Sequence, residues 1–157
     1  MVTIIFLVNK KFGIIYVPSY ENQWRSNMKL GYTIIYVKNV KETVGFYQKA
    51  FGIKLKYMAE SSLFAAMDTG TTMLSFVSEE FVQNSGIKFR QNKLNEVQAG
   101  FQISFFSDDV DKAFEKSVKE GGTAISLPSQ TPWGQRVAIV LDNNGVFVEI
   151  CSPFDFD

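Results

Sequence analysis

The feature that most constrains this chain is that it states one pattern twice. Tyr32-Thr33-Ile34-Ile35-Tyr36-Val37-Lys38-Asn39-Val40 is an apolar strand running into a helix start. Gln102-Ile103-Ser104-Phe105-Phe106-Ser107-Asp108-Asp109-Val110 has the same layout. The spacing holds onward, with Val44 matching Phe114 and Gly52 matching Gly122. Two copies of one pattern predict a fold of two similar modules, with a pocket between or beneath them. Pockets of that kind often hold a metal on imidazoles, yet the chain has no histidine. That absence also excludes Ser-His-Asp and Cys-His nucleophiles.

With 157 residues the chain is one domain, or two small modules sharing a core. Hydrophobic residues are 46% of it, enough to bury a core without metal or disulfide help. Aromatics are 15%, leaving some rings beyond the core to line a cavity. The 16 basic and 16 acidic residues balance, so no cationic excess exists to neutralise phosphates and nucleic acid is not an expected partner. A lone cysteine, Cys151, excludes an intrachain disulfide framework and fits a reducing compartment. It reads either as a small buried residue at a strand end or as a reactive thiol. Residues 2–8 are apolar but far short of a membrane span, with no basic leader or small-residue cleavage site. The expectation is a cytoplasmic protein with no membrane partner.

Residues 1–27 look unlike the rest and form an appendage. Two short β-branched runs, residues 2–8 and 13–17, flank Asn9-Lys10-Lys11-Phe12 and predict a hairpin. Pro18 breaks the pattern, residues 20–27 are polar and include Trp24, and Met28 reads as an ancestral start. Residues 28–157 form a single domain. Its first module, residues 29–77, has a strand at 30–37 and a helix at 40–51. Val40, Val44, Tyr47 and Phe51 make one apolar stripe there, and Gly52 supplies the left-handed stop. Strands at 53–59, 63–68 and 71–77 follow, with turns at Ser61-Ser62 and Thr69-Gly70. Residues 78–97 are a polar linker punctuated by Phe81 and Phe89. It is either a solvated crossover anchored by those rings or a flap over a pocket. The second module, residues 98–153, repeats the order: a strand at 98–106, a helix at 110–120, then strands at 123–127, 135–141 and 146–151. Asp108 is the expected helix cap, Val110, Phe114 and Val118 face inward, and Asp142-Asn143-Asn144-Gly145 is a hairpin turn.

Pro132-Trp133-Gly134-Gln135-Arg136-Val137, then Asp142-Asn143-Asn144-Gly145, then Val148-Glu149-Ile150-Cys151-Ser152-Pro153 resemble a family's closing segment. That family is the glyoxalase/bleomycin-resistance/dioxygenase group, the vicinal oxygen chelate superfamily. Residues 31–37, Val40, Gly45-Phe46-Tyr47 and Ala50-Phe51-Gly52 resemble its first strand and helix. The resemblance implies an α+β fold in which two βαβββ modules make a curled eight-stranded sheet around a cleft. It also implies a homodimer. Metal-dependent members place a ligand, usually His or Glu, on the first and last strand of each module, where a divalent ion polarises vicinal substrate oxygens.

Carried onto this chain, the first-strand positions hold Tyr32 and Gln102, each where the family often has His. The last strand of the second module keeps an acid, Glu149, and that of the first offers Leu74 or Ser75. No cofactor is expected from this set. Were a divalent metal bound, Glu149 with Gln102 and Tyr32 would hold it. Strand alternation puts Phe147, Glu149 and Cys151 on one face of the last strand, opposite Val146, Val148 and Ile150. Glu149 then shares the cleft with Tyr32, Ile34 and Tyr36, and with Gln102, Ser104 and Phe106. There Glu149 and Gln102 either hydrogen-bond each other or Tyr32 inside a small barrel, or contact a ligand. Glu149 is the candidate catalytic residue, a general base were burial to raise its pKa. The candidate ligand-binding residues are Tyr32, Tyr36, Gln102, Phe106, Trp133, Arg136, Phe147 and Glu149. Trp133 would stack on a flat ligand and Arg136 would meet an anion, unless the first is core and the second solvated. The resulting reading is a metal-free binder of a small drug or metabolite. The alternatives are a glyoxalase-like lyase or isomerase, or a dioxygenase, with an atypical site around Glu149, or a regulatory subunit with a vestigial cleft.

Overall fold

The computed structural model of the protein describes residues 8–9, 13–14 and 29–154. The chain divides into two compact units, Met1–Leu30 and Gly31–Asp157. In the first, β1 (Val8–Asn9) pairs antiparallel with β2 (Gly13–Ile14), Val8 opposite Ile14. Most of the apolar run at 2–8, the Pro18 break, Trp24 and Met28 lie outside the described residues.

The second unit runs β3 (Tyr32–Val37), α1 (Val40–Phe51), β4 (Leu55–Met58), β5 (Phe64–Met67), β6 (Met73–Ser78) and α2 (Glu79–Asn84). It continues with β7 (Gln102–Phe106), α3 (Val110–Lys119), β8 (Thr123–Gln130), β9 (Arg136–Leu141) and β10 (Phe147–Cys151). One four-stranded sheet has the order β3-β6-β5-β4 and the other β7-β10-β9-β8. In both, the first strand of the module lies parallel to the last and the remaining pairs are antiparallel. The fold is therefore α+β, with two βαβββ modules as the repeat predicts. The strands stay in two four-stranded sheets and do not close into one.

Local chemistry sets the helix ends. Asn39 accepts a hydrogen bond from the Glu42 amide at 3.2 Å, and Gly52 stops α1 with a φ of 71°. Asp109, not Asp108, caps α3, taking the Lys112 amide at 3.0 Å. Val118 was expected inside but is 37% exposed, and Ser117 takes the buried place. Residues 110, 114 and 117 stay on one face at 3.6 residues per turn, whereas 118 drifts off it. The Ser117 hydroxyl is satisfied by the Phe114 carbonyl at 2.8 Å.

A single apolar core joins the modules. Val37, Tyr47 and Phe76 from the first meet Phe114, Val140, Val148 and Ile150 from the second. Phe105 of β7 packs on Phe51 of α1 with centroids 5.4 Å apart. Each such buried side chain contributes about 1.5–3 kcal/mol. Between the modules, α2 is a turn of helix that the polarity of residues 78–97 does not signal, capped by Ser78. Of the two linker rings, Phe89 packs on Tyr36 at 4.9 Å, whereas Phe81 is 52% exposed and anchors nothing in the core.

Candidate functional site

Each sheet turns alternate residues toward the shared core and leaves the others on an open face. On the second sheet, register places Phe147 beside Gln102, Glu149 beside Ser104 and Cys151 beside Phe106, all on the open side. The Ser104 hydroxyl donates to Glu149 Oε1 at 2.8 Å, and Gln102 Nε2 donates to Ser104 Oγ at 3.4 Å. Gln102 thus reaches Glu149 through Ser104, a residue that alternation places on this face. Cys151 is buried, and burial with the Glu149 carboxylate beside it pushes its thiol up. A thiol so placed stays protonated at neutral pH and is a poor nucleophile.

On the first sheet the open face carries Tyr32, Ile34 and Tyr36 of β3. In register beside them are Met73, Ser75 and Val77 of β6, and across from those lie Phe64 and Ala66 of β5. This register decides between Leu74 and Ser75: Leu74 is in the core, and Ser75 stands where Glu149 stands in the second module. Tyr32 meets Phe64 edge-on at 6.4 Å, and Tyr57 meets Phe64 at 6.2 Å. The small residues Ser75 and Ala66 are both buried. The Ser75 hydroxyl has no hydrogen-bond partner among the described residues, which costs about 1–3 kcal/mol in a buried setting.

The structure therefore brings Gln102, Phe106, Phe147 and Glu149 together on one face and Tyr32 with Tyr36 on another. Tyr32 packs on Phe64 of its own module and Glu149 bonds Ser104 of its own, whereas Tyr36 packs on Phe89 of the linker. Trp133 sits in the loop between β8 and β9, 63% exposed, its indole N–H donating to Gln135 Oε1 at 3.0 Å. Arg136 precedes Val137 on β9 and lies on the helix-facing side, not on the face that carries Glu149. Its guanidinium is committed to Asp111 of α3, with Nη2 at 2.6 Å from Oδ1. The strand period fixes that side: residues 137 and 139 share the open face, so 136 cannot.

Whether these positions suit a metal follows from their donors. Tyr32, Ser75, Gln102 and Glu149 offer a phenol, a hydroxyl, a neutral amide and one carboxylate. The carboxylate is already bonded to Ser104. Tight divalent sites need several anionic or imidazole donors converging at about 2.0–2.6 Å. Among the described residues no group of three His, Cys, Asp or Glu side chains is placed to hold an ion. The donor set does not fit a resident catalytic metal. Among the described residues no helix is long and apolar enough to cross a membrane.

Comparison with known proteins agrees with this architecture. The protein YraH of Bacillus subtilis (strain 168) is 26% identical over 124 residues, covering 78% of this chain and 97% of YraH. The crystal structure of a glyoxalase/bleomycin resistance protein/dioxygenase family enzyme from Burkholderia phytofirmans PsJN superposes with a TM-score of 0.66. It is 24% identical and covers 81% of this chain and 100% of its own. A glyoxalase-related enzyme from Fulvimarina pelagi superposes with a TM-score of 0.69 at 14% identity, covering 82% and 94%. These likenesses establish the fold. The family model matches residues 29–150, every strand and helix of both modules but for the last residue of β10, and the chain belongs to the Glyoxalase/Bleomycin resistance protein/Dioxygenase superfamily.

Proposed function

We propose that this protein binds a small organic molecule on its open sheet faces and does so without a metal. The observation that carries this reading is the donor set. At the four first- and last-strand positions stand one phenol, one hydroxyl, one amide and one carboxylate that is already hydrogen-bonded. What surrounds them suits organic ligands: exposed rings of Tyr32 and Phe106, with Gln102 and Glu149 as polar anchors. Binding sites for small molecules combine such apolar walls with a few polar groups. Glu149 accepts a hydrogen bond or a cationic group of the ligand in this reading, and Gln102 and Ser104 orient it. The ligand site is completed by a second copy of the chain, whose open face supplies the opposite wall.

Metal analysis of the purified full chain, followed by a ligand screen read through tryptophan fluorescence, tests the proposal. Chelator treatment should leave both the melting temperature and ligand affinity unchanged. Glu149→Gln should weaken binding about tenfold while the fold melts as before, the loss expected of one charge-assisted hydrogen bond. A divalent ion bound in stoichiometric amount and released by Glu149→Gln would overturn it and return the protein to metal-dependent chemistry.

A further inference from the structure

Residues 87–101 carry no helix or strand, yet they are held at several points. Phe89 packs on Tyr36, and Gln91 Nε2 donates to Glu79 Oε2 at 2.8 Å. The backbone of Lys93 and Leu94 lies directly against Gly145. Between this segment, β3 and the β9–β10 turn is a cavity of about 190 Å³. Ile34, Tyr36, Phe89, Arg90, Asn92 and Phe101 are its main walls. Gln102, Ser104 and Glu149 do not line it, so it is distinct from the cluster around Glu149; it shares Ile34 and Tyr36 with the open face of the first sheet, and every wall comes from one chain.

The walls have a definite chemistry. Three rings and Ile34 supply the apolar part of the lining, and Arg90, the charged residue among the lining groups, and Asn92 supply polar groups. Arg90 Nη1 donates to the Val97 carbonyl at 2.9 Å, which fixes the guanidinium at the cavity. The nearby acid, Glu96, is itself held by Lys93 Nζ at 2.8 Å. An apolar cavity near 150 Å³ accommodates benzene, so this one takes a single aromatic ring with a short substituent. We propose that it binds a monocyclic aromatic carboxylate. The ring lies among Tyr36, Phe89 and Phe101, where edge-on and offset contacts are favourable. The carboxylate meets Arg90, whose planar donors match it, with the Asn92 amide as a second donor.

Amide-resolved NMR titration of the labelled full chain tests this, with benzoate and benzamide as probes. Benzoate should shift the amides of Ala99, Gly145 and Val146, which also line the cavity, and bind about tenfold more tightly than benzamide. Arg90→Gln, at an exposed side chain, should remove the preference for benzoate over benzamide. Ala99→Leu, which fills the cavity, should remove binding while the spectrum stays dispersed. If Ala99→Leu unfolds the chain, the Arg90→Gln comparison still decides. Equal binding of benzoate and benzamide, absence of shifts at millimolar benzoate, or shifts confined to residues around Gln102 and Glu149 would each overturn the assignment. Glu149→Gln should leave benzoate binding intact, which separates this site from the cluster around Glu149.

Discussion

Tyr47 donates its hydroxyl to Asp142 Oδ2 at 3.0 Å in the interior between the two modules. The amides of Asn144 and Val146 each reach Asp142 Oδ1 at 2.8 Å, and Asn144 Nδ2 donates to Thr43 Oγ1 at 3.0 Å. Helix α1 is thereby tied to the β9–β10 turn by polar contacts inside an apolar core. Truncating Asp142 to Ala orphans two amides and a phenol, and should cost about 3 kcal/mol in denaturant unfolding. Burial raises the Asp142 carboxyl above its ordinary range, outweighing the hydrogen bonds from Val146, Asn144 and Tyr47 that lower it. The folded chain therefore holds that proton more tightly than the unfolded chain. The linked stabilisation is complete below the unfolded carboxyl pKa of about 4 and is lost as pH rises through the raised folded value. Asp142→Asn keeps an acceptor for both amides and removes the titration. Its melting temperature should fall less between acid and neutral pH than the wild type's, with the two curves meeting at the acid end. Glu79, also raised by burial, contributes the same sign to both chains and cancels in the comparison. Parallel curves would refute the role given to Asp142. None of this network is legible in the sequence. Tyr47 reads as one more residue of an apolar stripe and Asp142 as a turn former, because a bond spanning 95 positions leaves no periodic trace.

At the scale of elements, periodicity and caps were readable wherever a local rule governed. Helix α1 begins and ends where Asn39, the 40-44-47-51 stripe and Gly52 place it. The rule ran out where tertiary contacts chose between near-equal options: Asp109 over Asp108 as cap, Ser117 over Val118 on the inner face. It also missed α2, whose six residues are too few to show a stripe. Gly145 was legible as a hairpin glycine, and its φ of 87° bears that out. Its second role was not legible. A Cβ on Gly145 would stand 2.8 Å from the Lys93 carbonyl carbon, in the backbone of the segment that walls the aromatic cavity. Gly145→Ala therefore combines a left-handed strain of about 1–2 kcal/mol with an overlap that only movement of that segment relieves. Unfolding in urea should show a loss of at least about 2 kcal/mol, and limited proteolysis should cut first within residues 86–101. A variant with the strain loss alone and an unchanged digestion pattern would mean that the segment does not rest on Gly145.

For the whole molecule, the doubled pattern dictated two βαβββ modules, and the structure has them. What the pattern did not reveal is that the strands would remain in two open sheets with one core between them. Alternation tells which residues leave the core, not what covers them, since a partner leaves no mark on the period of a strand. In this chain the uncovered residues include large apolar ones: Tyr32 and Ile34 are about half exposed and Phe106 is 65% exposed. Apolar surface of that kind on a folded protein marks a face made for contact. A closed pair of copies related by a two-fold axis is the simplest arrangement that covers both open faces at once. Sedimentation at micromolar concentration should accordingly give a dimer. Phe106→Asp places a charge on the open side of β7 without disturbing the core, so the variant should sediment as a monomer with a melting temperature close to that of the monomeric wild-type unit. The same variant should lose the ligand of the open faces and keep benzoate in the cavity beside Arg90, whose walls belong to one chain. A wild type that remains monomeric while binding its ligand on the open faces would show that a single sheet suffices and that no second copy completes the site.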